Sequence, residues 1–328
     1  MKKIIFSRHG LRYPFFTKEK SLNFFNKDIL NWEDENVGNP TLTKKGALIE
    51  LRFGQWLKDY LQVKEDTSLK VIANSTYRTY ETAQLLSLGL KPGQDTYIEC
   101  KDKTFKSEDD NFQARYINES YIDWRKLHDF DETSKDIYQK INHIFKLDNN
   151  CKYNQEKTNF ELAPVWYKTS GPLFMSSSFS DVLQLKYYLG FKEADIFKSV
   201  DFINDLKMML KAKDRVLDFI FANKKLLSDG EQNIYKLIKK EAKNDTDLTL
   251  IVGHDTSIAS LLCMLDIQMP EHNQLEKYPI GSKVIFTIHD DETFDLEYTF
   301  FDYEDIRNFQ IDATPKVISL GKGLKFKY

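Results

Sequence analysis

Three short apolar runs set the frame of this chain. Ile4-Ile5-Phe6, Leu69-Lys70-Val71-Ile72-Ala73 and Leu248-Thr249-Leu250-Ile251 are each long enough for a buried strand and too short for a helix. Each gives way to a polar or glycine-bearing turn. The turn after Ala73 leads into a helical stretch at Tyr80 to Leu88, and that after Ile251 into one at Thr256 to Leu262. Between the first two runs, Thr43 is placed to cap a helix. Ile49, Phe53, Trp56, Leu57 and Tyr60 then mark one buried helical face. Strand, turn and helix in alternation predict an α/β fold.

The end of the chain switches period. Lys283 to Ile288 and Phe294 to Phe301 alternate apolar and polar residues around Asp290-Asp291-Glu292, predicting a hairpin. Val317 to Leu320 predicts a last short strand, and Tyr97 to Phe105 another. Residues 15–40 predict an irregular loop ending at the Asn39-Pro40 turn, and Asp302 to Asn308 a short exposed segment.

From residue 107 the composition shifts to Lys, Asp, Asn and aromatics with helical spacing. Tyr138, Ile141 and Phe145 fall at such spacing, as do Phe179, Val182, Leu183 and Tyr187, and later Val216, Ile220 and Leu227. Residues 107–243 therefore predict a mainly helical insertion or cap. Residues 1–106 and 244–328 remain for an α/β core.

Composition narrows the function classes. Among 328 residues, 47 basic and 50 acidic side chains leave a net charge of −3, without the basic excess of a general nucleic-acid binder. No apolar run approaches the roughly 20 residues of a membrane span. The apolar stretch after Met1-Lys2-Lys3 ends at Phe6, short of a signal-peptide core of about 7–15 residues, so a cytoplasmic location is expected. The three cysteines, Cys100, Cys151 and Cys263, form no metal spacing. No cofactor or metal is expected.

Candidate chemistry gathers on the turns. The first apolar run leads straight into Arg8-His9-Gly10-Leu11-Arg12-Tyr13-Pro14, and the third into Gly253-His254-Asp255. Arg78 follows the second. Ligands of α/β sheets bind at the carboxyl ends of strands. Guanidinium forks grip phosphoryl oxygens, and an imidazole can attack phosphorus.

These motifs resemble the signature of the histidine acid phosphatases. Arg-His-Gly-x-Arg-x-Pro near the start, with Gly-His-Asp about 240 residues later, is a specific pair. The resemblance extends, loosely between motifs, over most of the chain. It covers Asn74-Ser75, Arg78-Thr79, Ser170-Gly171-Pro172-Leu173, Asp181 to Phe191, and Tyr278 to Phe286. It leans toward the bacterial glucose-1-phosphatase and phytase branch. It implies a mixed-sheet α/β core of the phosphoglycerate-mutase-like type under the helical insertion, and metal-independent hydrolysis of a small phosphomonoester. His9 would be the nucleophile and Asp255 the proton donor, with Arg8, Arg12, Arg78 and His254 on the phosphate. A protonated Asp255 implies an acidic optimum.

The sequence departs from that branch in places. Leu189 stands where the sugar phosphatases are expected to carry a pocket glutamate, which makes Leu189 a substrate-pocket candidate. Gly10 matches the phytase form of the first motif, whereas Phe15-Phe16 replaces a phytase Thr-Lys pair. Glucose 1-phosphate and inositol phosphates both stay open as substrates. A phosphoglycerate-mutase-like phosphotransferase and a non-catalytic phosphosugar-binding protein are the alternatives, and a homodimer is left open.

Overall fold

The computed structural model describes residues 2–114, 120, 122–163, 167–224, 233–310 and 312–326. A seven-stranded sheet has the order β3-β2-β6-β1-β7-β8-β9. Its strands are β1 (Lys2–Arg8), β2 (Leu69–Ala73), β3 (Ile98–Glu99), β6 (Leu248–Gly253), β7 (Lys283–Ile288), β8 (Thr293–Phe300) and β9 (Lys316–Lys325). β4 (Asn159–Leu162) and β5 (Tyr167–Ser170) form a separate hairpin.

Four strands run parallel and the C-terminal three run antiparallel. The register of the central three decides where the site lies. β6 is flanked by β1 and β2, with Arg8 opposite Gly253 and Ala73 opposite Val252. All three strands thus stop at the same level. The turns that leave them are tied together by His9 N–H donating to Gly253 O at 3.0 Å and Asn74 N–H donating to Val252 O at 3.0 Å.

Helices α1 (Lys18–Phe25), α2 (Lys44–Tyr60), α3 (Tyr77–Leu90), α11 (Asp255–Met264) and α12 (Tyr303–Asn308) accompany the sheet. Thr43 caps α2 as the sequence predicts, its hydroxyl accepting from Gly46 N–H at 3.0 Å. The mainly helical stretch between β3 and β6 carries α4 (Trp124–Glu132), α5 (Lys135–Phe145), α6 (Lys152–Gln155), α7 (Pro172–Tyr188), α8 (Glu193–Ile196), α9 (Phe202–Ile220) and α10 (Asn233–Ala242). α7 is buried on almost every side, and Phe179, Val182, Leu183 and Tyr187 all lie in the core.

Several local expectations need correction. Residues 15–40 are not wholly irregular. α1 forms there, capped by the Thr17 hydroxyl, and seats Phe25 5.2 Å from Phe179 of α7. Eight residues are too few to show a helical period in the sequence. The strand expected over Tyr97–Phe105 shrinks to Ile98–Glu99. The Asp102 carboxylate accepts from the N–H groups of Thr104, Lys106 and Ser107 and turns the chain. Residues 303–308 are helical, capped by Asp302. β9 runs past Gly321 and Gly323, which read as breakers but sit in an exposed edge strand with register shifts. Leu227 lies outside the described residues.

Candidate active site

Residues from all three strand ends meet at one point. His9 follows β1, Asn74 and Arg78 follow β2, and His254-Asp255 follow β6. The rings of His9 and His254 meet edge to face, their centroids 5.4 Å apart. Both are buried.

His9 is aimed by its neighbour. Its Nδ1 lies 2.9 Å from Gly10 O, and only a protonated Nδ1 can donate there. Nε2 is left with the free lone pair. Burial, then the charges of Arg78, His254, Arg12 and Arg8, push its pKa well below the ordinary imidazole value. These causes favour the neutral ring.

The turn under His9 rests on a buried ion pair. Glu50 of α2 and Lys283 of β7 meet at 2.9 Å, both essentially inaccessible to water. Gly281 N–H donates to His9 O at 3.1 Å. A side chain at Gly10 would put its Cβ 2.6 Å from Glu50 Cγ. Gly281 adopts φ +67°, and a Cβ there would sit 2.3 Å from Glu50 Oε1. Glycine is required at both positions by the carboxylate beneath them.

Arg8 is fully buried between two carboxylates, Asp255 at 3.0 Å and Glu276 at 2.9 Å, and also donates to Tyr278 O. Arg12 pairs with Asp181 of α7 at 2.9 Å. Lys213 of α9 joins the set, 2.8 Å from both Asp181 and Glu276 and 3.7 Å from Asp255. Three cations and three carboxylates thus balance in one network. Burial alone would raise the Asp255 carboxyl pKa, but the charges of Arg8 and Lys213 outweigh it and hold it at about 2. In the free site Asp255 is thus held in its ionised form.

Arg78 differs. No described carboxylate lies within salt-bridge distance of it, and burial followed by the charge of Arg12 lowers its pKa to about 9. Its guanidinium lies over the ring of Phe15, 4.9 Å from the centroid, and Arg12 lies 4.7 Å from the same ring. The Nε donors of Arg8, Arg12 and Arg78 are all buried without a protein acceptor. Three orphaned donors beside an unneutralised guanidinium describe an anion site.

His9, Arg8, Arg12, Arg78, His254 and Asp255 are thus brought together. Leu189 is not among them. It caps the C-terminus of α7, eight residues beyond Asp181, or about 12 Å along the helix axis. Sequence reading missed Asp181, Lys213 and Glu276. A signal existed for Lys213, a lysine in step with the buried Leu206, Leu210 and Leu217 of α9. Asp181 opens the Asp181 to Phe191 stretch of the resemblance, and Glu276 carries no comparable local mark.

A sequence profile of the histidine phosphatase superfamily (branch 2) matches residues 2–301, and the chain belongs to that family. It is 26% identical to a glucose-1-phosphatase of Salmonella typhimurium, over 93% of this chain and 82% of the relative. It is 22% identical to a glucose-1-phosphatase of Providencia rettgeri, over 97% and 85%. The fold matches the phytase structure from Citrobacter braakii with a TM-score of 0.82 at 15% identity, covering 97% of this chain and 90% of that one. Among the described residues, no helix is long and apolar enough to cross a membrane.

Proposed function

We propose that this protein hydrolyses small phosphomonoesters, sugar phosphates foremost, through a phosphohistidine on His9. The observation that carries the reading is the set of three unpartnered arginine Nε donors around a neutral, correctly aimed His9. His9 Nε2 attacks phosphorus, and the bond from phosphorus to the ester oxygen breaks. Arg8, Arg12 and Arg78 hold the non-bridging oxygens and stabilise the charge that spreads over them. His254 adds one further hydrogen bond. Asp255 passes a proton to the departing alkoxide. Water then attacks the phosphohistidine, with Asp255 taking up its proton, and phosphate leaves.

An ionised Asp255 must first acquire that proton. A phosphomonoester monoanion carries one, and its second ionisation lies near pH 6. Its negative charge, placed beside the carboxylate, favours transfer to Asp255. Substrate and proton then arrive together. The alkaline limb belongs to the substrate, so kcat/KM falls as pH rises through about 6.

The test compares leaving groups. Asp255→Asn keeps size but has no proton to give. General acid catalysis contributes about 10²–10⁴-fold. Glucose 1-phosphate hydrolysis should slow by that factor, and p-nitrophenyl phosphate, whose phenolate leaves unaided, far less. Equal loss on both substrates would remove Asp255 from the acid role.

A further inference from the structure

Asn74 touches His254 in a way that determines which nitrogen of that ring holds its proton. The Asn74 side-chain oxygen accepts two backbone N–H groups, from Ser75 at 2.8 Å and from Asp109 at 3.0 Å. Two N–H donors fill its lone pairs and fix the orientation of the amide, because a flipped amide would set donors against donors. The NH2 group therefore faces His254, with Nδ2 2.8 Å from Nε2. An amide nitrogen only donates, so Nε2 must offer a lone pair. The proton of the neutral ring then sits on Nδ1.

The other side of the ring completes the picture. Nδ1 lies 3.4 Å from Arg78 Nη2, which is also a donor. Two donors that face one another are both satisfied by one oxygen lying against them, as a non-bridging phosphoryl oxygen would. We propose that Asn74 is a positioning residue that locks His254 as the Nδ1–H tautomer, making it a neutral hydrogen-bond donor to the phosphoryl group. This rests on the reading of His254 as a phosphate ligand given above.

The groups around His254 decide its charge. Burial and the guanidinium of Arg78 oppose an imidazolium, Asp255 on its own helix favours one, and Arg12 and Arg8 from the β1 corner oppose it again. His9 faces it edge to face. The balance opposes the imidazolium and favours the neutral ring. Asp109 adds a link between elements, since its N–H ties the amide to the chain that leads from β3 toward the helical stretch.

Asn74→Asp separates a tautomer role from a packing role. An ionised carboxylate still accepts from Ser75 and Asp109, but it turns an acceptor toward Nε2. That draws the proton to Nε2 and raises the His254 pKa. At low pH the doubly protonated ring still donates from Nδ1. Above its new pKa the remaining proton stays on Nε2, and a lone pair faces the phosphate. The ratio of mutant to wild-type kcat/KM should therefore fall with rising pH, by about 10²-fold for one lost transition-state donor. Taking the ratio removes the limb that belongs to the substrate.

Nitrogen-15 spectra of histidine-labelled wild-type protein at neutral pH read the tautomer without catalysis. The expected pattern is Nδ1–H for His254, shifted on adding inorganic phosphate. The Asn74→Asp spectrum should show Nε2–H or double protonation. A wild-type ring protonated at Nε2 would overturn the proposal, as would a mutant-to-wild-type ratio flat with pH. Should phosphate leave the His254 signals unmoved, the ring would hold its tautomer without serving the phosphoryl group. That result also overturns the positioning role, while the reading of His9 as nucleophile would stand.

Discussion

Arg8 ends β1 and Arg78 opens α3 just after β2, two parallel strands on either side of β6, yet their surroundings are opposite. Arg8 is enclosed by Asp255 and Glu276, and these carboxylates outweigh burial to raise its pKa above the usual arginine value. Arg78 has burial, Arg12 and an aromatic ring, and its pKa falls to about 9. The first is anchored by the protein's own anions. The second has its charge left over for a ligand. One corner of the site is therefore neutralised by the protein's own carboxylates, and the other has no carboxylate within salt-bridge distance among the described residues.

Breaking the anchored corner should cost most. Arg8→Ala leaves Asp255 and Glu276 with Lys213 as their remaining cation. Removing one partner of a buried pair costs about 3–5 kcal/mol, and phosphatase activity should vanish with it. Urea unfolding and turnover of p-nitrophenyl phosphate measure the two losses. Lys213→Met attacks the same network from the helical side. It should cost about 3 kcal/mol and let the Asp255 carboxyl titrate higher than about 2, visible as a carboxyl carbon shift on acidification.

Arg78→Ala should reverse that balance. With no described ion-pair partner to strand, its unfolding free energy should change by less than about 1 kcal/mol. Its kcat/KM should fall by about 10²–10³. If Arg78→Ala destabilises the fold as much as Arg8→Ala does, the contrast between the corners fails.

The smallest effect is on stability against pH. His9 and His254 have folded pKa values below the unfolded value of about 6.5. The unfolded chain thus binds protons first as pH falls, and stability declines from about pH 6.5 downward. Asp255 is depressed from about 3.9 to about 2, so its contribution is intact above pH 4 and lost toward pH 2. The loss should deepen steadily as pH falls below about 6.5. His9→Asn should remove its share, as denaturant melts at each pH would show.

The two corners also differ in how far the sequence disclosed them. Arg8, His9, Arg12, His254 and Asp255 sit in compact motifs at the ends of strands that hydrophobic period alone reveals. Arg78 follows from the same strand-turn-helix order. What balances the arginines is not local. Asp181 and Lys213 come from helices of the intervening stretch, and Glu276 from the loop before β7, so their charges meet only after long-range packing. α1 and the later half of β9 were hidden for simpler reasons, short length and glycines within a strand. The ionised state of Asp255 was invisible because it depends on Lys213 as well as on Arg8.

The most direct measurement is rapid-quench trapping with a ³²P-labelled aryl phosphomonoester, followed by peptide mapping of the labelled protein. The account predicts an acid-labile, base-stable label on the peptide holding His9. It predicts no label in His9→Ala, and a slowly formed label still on His9 in His254→Ala. A phosphoenzyme mapped to His254, or normal turnover by His9→Ala, would contradict it.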